Sequence, residues 1–428
     1  MLLVLAYAMV IVFMWLIMTK RLSALVALII VPILFGLLGG FGKTLGPMML
    51  MGIEHIVPTS VMIMFAILYF GIMIDVGLFD FFVNQITRLA KGDPLKVIVG
   101  TCLLALLISL DGDGATCYLL TVAAMLPLYQ RLGISKVILT CVIMLASGVM
   151  NILPWGGPTT RAASALNLSP SSIFVPMIPA LCVTIVWIVG IAYWLGLKER
   201  KRLGIIKILV KKDFITGTAL VGKARPKLFF VNLSLTLALL ILLVLEIFPL
   251  ATLFMTFFAI ALLINYPNPT EQKECIMLHA KNVLPVIALI FAAGVFVGIF
   301  QGTKMLDAIA THMVTNIPQS VGSHLAVITG ILSMPFTFFI SNDAFYFGVL
   351  PILAKAAAPY GISTAQIARA AIIGQPVHVL SPLVASTYLL VGLADVDLGV
   401  HQRHTLLWSV SASIVMLIGG LFFNSIPF

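Results

Sequence analysis

Two aspartates stand inside an apolar run at Ser109-Leu110-Asp111-Gly112-Asp113-Gly114-Ala115-Thr116, between CLLALLI and CYLLTVAAML. Acids in such surroundings must bind a cation, share a proton or pair with a base. Hard cations such as magnesium, calcium or sodium take carboxylate, hydroxyl and carbonyl oxygens, and this stretch offers all three. It is not an EF-hand loop, because the twelfth position counted from Asp111 is Val122 rather than Glu. Metal-ligand candidates are therefore Asp111 and Asp113, with Ser109 and Gly112 beside them. The plainer alternative is that the aspartates cap the following helix and face a polar vestibule.

A second polar tip, Ser341-Asn342-Asp343, interrupts another apolar run and adds Asp343 to the metal-ligand candidates. The following Phe345, Tyr346 and Phe347 are expected to pack rather than to wall a ligand. Arg161 ends the break PWGGPTTR, in which Gly156, Gly157, Pro158 and Thr159 are candidate substrate contacts, with Asn151 just before it. Its guanidinium can grip a carboxylate at two points. The partner is either an anionic substrate or an internal acid at Asp111, Asp113 or Asp75. Thr159 and Thr160 would stand at a half-helix N-terminus, where anions are favoured. In GQPVHVLSP, Gln375, His378 and Ser381 are further candidates, and His378 titrates in the range of a proton carrier. Asp75, closing the run LYFGIMID, is the second proton-coupling candidate. For His378, the competing expectation is a buried packing residue.

The elements that hold these residues follow from composition. Hydrophobic residues make up 61% of the 428-residue chain and charged residues only 9%, with a mean hydropathy of +1.16. A soluble domain carries about 25% charged residues, so the chain is expected to be an all-α, polytopic membrane protein. Leu2 to Met18 lacks a basic n-region and a small-residue cleavage site, and is expected to be a retained first helix. The five cysteines show no CxxC or other metal spacing, which predicts inert core residues. About ten transmembrane helices are predicted. The intact ones lie near 2–18, 22–41, 58–77, 173–196, 228–247, 249–265, 283–301 and 406–424. Two broken helices, 135–166 and 366–391, and two hairpins with polar tips, 97–127 and 325–358, complete the set. The hairpin arms of 97–108 and 115–127 would be about 18–20 Å long, enough to reach mid-membrane and return.

Lys198 to Lys227 holds ten basic and two acidic residues, +8 of the chain's +10. Being short, with Phe214 its single aromatic, and clamped between spans, it is expected to be a cytoplasmic linker rather than a nucleic-acid contact. Counting spans outward from it puts twenty basic residues inside against four outside, and both termini outside.

The linker then separates two inverted repeats, 1–197 and 228–428. Gly71-Ile72-Met73 with Asp80 matches Gly298-Ile299-Phe300 with Asp307 at the same spacing. Each half runs on through a Ser-x-Asp tip into a Gly/Pro-broken span. Paired interruptions in inverted halves point to a transporter's midplane site. They have no role in an intramembrane aspartyl protease. That class also expects a GxGD pattern, whereas Leu110 stands where its first glycine would. A channel fits broken helices less well than a carrier does, and no catalytic role is expected.

GIMIDVGLFD, SLDGDGAT, SGVMNILPWGGPTTRAASAL, SNDAFYFGVLP and GQPVHVLSPLVASTYLLVGL together resemble the bacterial citrate–metal:proton symporters of the ion transporter superfamily. The resemblance runs over almost the whole chain. It implies proton-driven import of citrate complexed with a metal ion, magnesium, calcium, manganese, zinc or iron, carried as substrate with no resident cofactor. It also implies a homodimer in the bacterial cytoplasmic membrane, with a fixed scaffold and a moving transport part in each protomer. Sodium-coupled dicarboxylate relatives carry Ser-Asn-Thr at both tips. Ser109, Ser341 and Asn342 match that pattern, whereas Asp111 and Asp343 depart from it. The extra negative charge suits a substrate that brings its own metal. A sodium- or proton-coupled carrier of free di- or tricarboxylates is the alternative.

Overall fold

The computed structural model describes residues 1–19, 21–82, 85–86, 92–112, 114–205, 225–245, 247–316 and 318–428. Asp113 and linker residues 206–224 lie outside the described residues. Among the described residues the chain is helical, with no strand. Six helical stretches are long and apolar enough to cross a membrane, and shorter apolar helices accompany them.

Two helices outrun their expected spans. Leu45–Asp75 (α3) continues through Pro58 for 31 residues, and Pro269–Gly302 (α11) through Pro285 for 34. Interior prolines remove one backbone bond and bend a helix without always ending it, so a proline-based boundary falls short here. The two helices cross with their backbones almost touching. A Cβ added at Gly298 would collide with the Met48 carbonyl oxygen, and one at Gly294 would lie 2.9 Å from the Gly52 carbonyl oxygen. Small residues give this close approach in apolar surroundings, where packing replaces hydrophobic drive.

The first tip region folds as Pro94–Ile108 (α4), a 3₁₀ turn at Ser109–Asp111, and Gly114–Leu132 (α5). The first arm starts earlier than expected because Asp93 accepts from the Leu95 amide at 3.1 Å, capping a helix with Pro94 in its first turn. With its turn, Pro94–Asp111 reaches 18 residues, longer than the predicted arm. The second tip region runs Leu325–Phe339 (α13), a break at Ile340–Ser341, helical Asn342 and Asp343, a π-helical turn Ala344–Val349, and Leu350–Ala357 (α14). Pro351 has no N–H for the Phe347 carbonyl, and a proline ring crowds that carbonyl. The wider π turn absorbs the mismatch.

Both interrupted spans are broken as expected. Lys136–Met150 (α6) stops and Gly157–Leu166 (α7) resumes. The Thr159 hydroxyl donates to the freed Ile152 carbonyl at 2.7 Å. The second runs Thr364–Ala371 (α15), a tight turn into Gln375–His378, then a gap before Ala385–Ala394 (α16). Ser381 Oγ closes that gap, donating to the Phe338 carbonyl at 2.6 Å and accepting from the Leu383 amide at 3.1 Å. Freed backbone groups in an apolar medium must be satisfied within the protein, and these hydroxyls do it.

Candidate functional site

The two tips and two breaks converge on a pair of adjoining cavities. The larger, about 740 Å³, is lined by Asp75, Asp111, Gly112, Thr116, Trp155, Gly157, Thr160, Arg161, His279 and Asn282 among others. The smaller, about 380 Å³, is lined by Gly112, Asn151, Gly157, Pro158, Arg161, Ser341, Asn342, Asp343 and His378. Gly112, Gly157 and Arg161 stand on the shared wall. Most residues picked out by the sequence are thus brought together, although they come from distant parts of the chain.

Arg161 meets neither Asp111 nor Asp75, the nearer acids in sequence that the structure describes. Its Nε donates to Asp343 Oδ1 at 2.6 Å, joining the first break to the second tip, while Nη1 donates to the Gly157 carbonyl at 3.1 Å. The expected internal ion pair exists, and its partner is Asp343. The helix crossings that bring α7 against the 344–349 turn decide this. Asp343 therefore reaches the cavity with a guanidinium already beside it, whereas Asp111 is buried on the wall of the larger cavity.

The first tip is held by Trp155, whose Nε1–H donates to the Leu110 carbonyl at 2.9 Å and whose ring stacks on Phe70 at 5.3 Å. Gly112 turns the chain with φ +81°, and a Cβ there would sit 2.7 Å from Trp155 Cδ1. Only glycine meets both demands. The second tip is held by an amide network. Gln375 Oε1 accepts from Asn151 at 3.1 Å and Asn342 at 3.4 Å, while Gln375 Nε2 donates to Tyr346 Oη at 2.9 Å and Asn342 Oδ1 at 3.3 Å. Asn151 and Gln375 thereby connect the two breaks directly.

Several predicted contacts stand behind the cavity walls rather than on them. Ser109 Oγ donates to the Cys117 sulfur at 3.1 Å, and Thr159 and Ser381 serve the backbone of the breaks. Gly156 and Gln375 are buried behind the lining. His378 combines both expectations. It is buried with Nδ1–H donating to the Thr337 carbonyl at 2.6 Å, which leaves Nε2 as the nitrogen that titrates, and it lines the smaller cavity. Phe345 and Tyr346 pack, as expected, while Phe347 packs and also touches the larger cavity.

Sequence reasoning passed over Trp155, Asn282, His279 and Cys275. Cys275 was expected to be inert, yet its sulfur lies within 4.8 Å of donor atoms of His279 and Asp75. The available signal was Cys-x-x-x-His, two donors one helical turn apart.

Residues 13–374 match the family model for the citrate transporter, CitMHS. Among relatives in Bacillus subtilis (strain 168), a citrate transporter is 56% identical over 428 residues, 100% of both chains. An Mg(2+)/citrate complex secondary transporter is 51% identical over 419 residues, 97% of both. The uncharacterized transporter YraO is 47% identical over 425 residues, also 97% of both. Among solved structures, the Alcanivorax borkumensis YdaH transporter aligns with TM-score 0.62 at 14% identity, covering 90% of this chain and 89% of that one. Neisseria gonorrhoeae MtrF aligns with TM-score 0.59 at 14% identity, covering 89% and 84%. These two likenesses establish the transporter fold alone. With five-sixths of its length matched by the family model and a relative 56% identical from end to end, this chain belongs to the citrate transporter family.

Proposed function

We propose that this protein imports citrate as its complex with a divalent metal ion, coupled to protons, by alternating access in the bacterial cytoplasmic membrane. The observation that carries this reading is the meeting of a cation and acids around joined cavities: Arg161 beside Asp343 on the smaller, with Asp111 on the wall of the larger. Citrate offers carboxylates that a guanidinium can grip, and its metal offers a hard cation that carboxylate oxygens favour. In this reading Asp111, with Asp113 in the same loop, faces the metal. Asp343 completes its oxygens when the substrate takes over Arg161. Asn151, Gly157, Pro158, Ser341 and Asn342 order the remaining oxygens.

The relative that carries an Mg(2+)/citrate name supports magnesium as a cargo ion. Proton coupling rests on two proton-binding side chains at the cavities, Asp75 paired with His279 and His378 on the smaller cavity. The alternating motion is assigned to the tip regions and broken spans, organised as inverted repeats 1–197 and 228–428 with hairpins 97–127 and 325–358. The termini are placed outside by the basic-residue count. A homodimer with the scaffold parts facing each other completes the reading.

The test is uptake of labelled citrate into proteoliposomes with magnesium, calcium, manganese, zinc or iron, and with a chelator. Uptake should require metal and respond to an imposed proton gradient. Equal uptake of citrate in chelator would overturn the metal-complex reading in favour of a free tricarboxylate carrier. Accumulation that follows a sodium gradient and ignores protons would overturn the coupling.

A further inference from the structure

The long helices α3 and α11 meet again near the end of α3. There Asp75 faces Cys275 and His279, which sit one turn apart on one face of α11. His279 Nε2–H donates to Asp75 Oδ2 at 2.8 Å. One sulfur, one imidazole nitrogen and one carboxylate oxygen all lie within 4.8 Å of one another. The Asp75 and His279 side chains are each 11% exposed, and Cys275 is buried. Asp75 and His279 line the larger cavity, so a small ion in it reaches them.

We propose that Asp75, Cys275 and His279 form a binding site for a zinc-class divalent ion, distinct in chemistry from the oxygen-lined tips. Thiolate, imidazole and carboxylate are the donor set of borderline ions such as zinc, cobalt(II) and iron(II), whereas magnesium is held by oxygens alone. Metal–sulfur bonds of about 2.3 Å and metal–nitrogen or –oxygen bonds of about 2.0–2.2 Å are reached from this spacing by side-chain rotation with the helices in place. Two donors at i and i+4 on one helix are a recurrent way to present ligands to zinc. The third donor comes from the crossing helix, and the fourth position opens to the cavity. Binding at Nε2 releases the thiol proton and leaves the neutral imidazole with its proton on Nδ1, replaces the Asp75–His279 hydrogen bond, and staples α3 to α11 beside the substrate cavity. The site is a candidate for inhibition by zinc-class ions of the transporter's own traffic.

The test uses the purified full chain in detergent, without citrate, titrated with cobalt(II). Wild type should bind one equivalent tightly, with a thiolate-to-metal charge-transfer band in the near ultraviolet. Excess zinc should bleach that band and magnesium should not. Cys275→Ser should abolish it, while Cys182→Ser, at the exposed thiol on α8 (Ile178–Leu203), should leave it intact. Loss of a second-shell partner weakens metal binding by about 10–100-fold, so Asp75→Asn and His279→Gln, which lose ligands themselves, should weaken it by at least about tenfold. These two carry the test if Cys275→Ser does not purify as a folded protein. A band that survives Cys275→Ser, or wild type that takes up no stoichiometric cobalt, overturns the site. Neither result bears on citrate transport.

Discussion

Asp343→Asn is the perturbation that bears most directly on the join between the halves. It keeps the shape of the side chain and removes the charge that faces Arg161 at 2.6 Å. The two side chains are only 23% and 17% exposed. Breaking a fully buried pair by removing one partner costs about 3–5 kcal/mol, because the other charge is left uncompensated. Residual solvent at this site lowers that to about 2–3 kcal/mol, or about 30–150-fold in an equilibrium constant. The assay is a double-mutant cycle with Arg161→Gln, read by denaturant titration in mixed micelles and by metal-citrate uptake. Each single variant should lose stability, and the double variant should recover most of it, giving a coupling of about 2–3 kcal/mol. Uptake should stay lost in the double variant, since the substrate's carboxylate grip is gone. Additive losses of stability would refute the pair as a structural join. Full uptake by Arg161→Gln would refute its contact with substrate.

Two further perturbations test the scaffold and the first tip. Gly298→Leu drives a side chain into the Met48 backbone at the α3–α11 crossing, and overpacking there should cost about 3 kcal/mol or more. Size-exclusion profiles should show loss of folded protein, while Gly190→Ala, with nothing within 4 Å of its added Cβ, should behave as wild type. Trp155→Phe keeps the stack on Phe70 and removes the hydrogen bond to the Leu110 carbonyl, costing about 1 kcal/mol. Uptake should then show a raised KM with little change at saturation, and an unchanged KM would show that the tryptophan does not set the tip.

The site was legible in the sequence to the extent that its signals are local. Both polar tips, both Gly/Pro breaks, Arg161 and His378 are visible as polar interruptions of apolar runs, because burial in an apolar medium makes each one costly. Hydroxyls that serve the backbone, such as Thr159 and Ser381, look the same in sequence as hydroxyls that bind a ligand. Only their hydrogen bonds to Ile152 and Phe338 separate the two roles. The full lengths of α3 and α11 were missed for a related reason. Whether a helix survives an interior proline depends on how neighbours satisfy the freed carbonyl.

By itself the sequence determined the solvent, the helical class, the order of tips and breaks, and the family. Each follows from composition, periodicity and motifs that span a few residues. Tertiary structure alone decided the partners. Arg161 finds Asp343 across 182 positions, and His279 finds Asp75 across 204. Such pairings depend on which helices cross and how closely. A glycine-lined crossing of α3 and α11 is set by shape complementarity across the whole bundle, which no local pattern encodes.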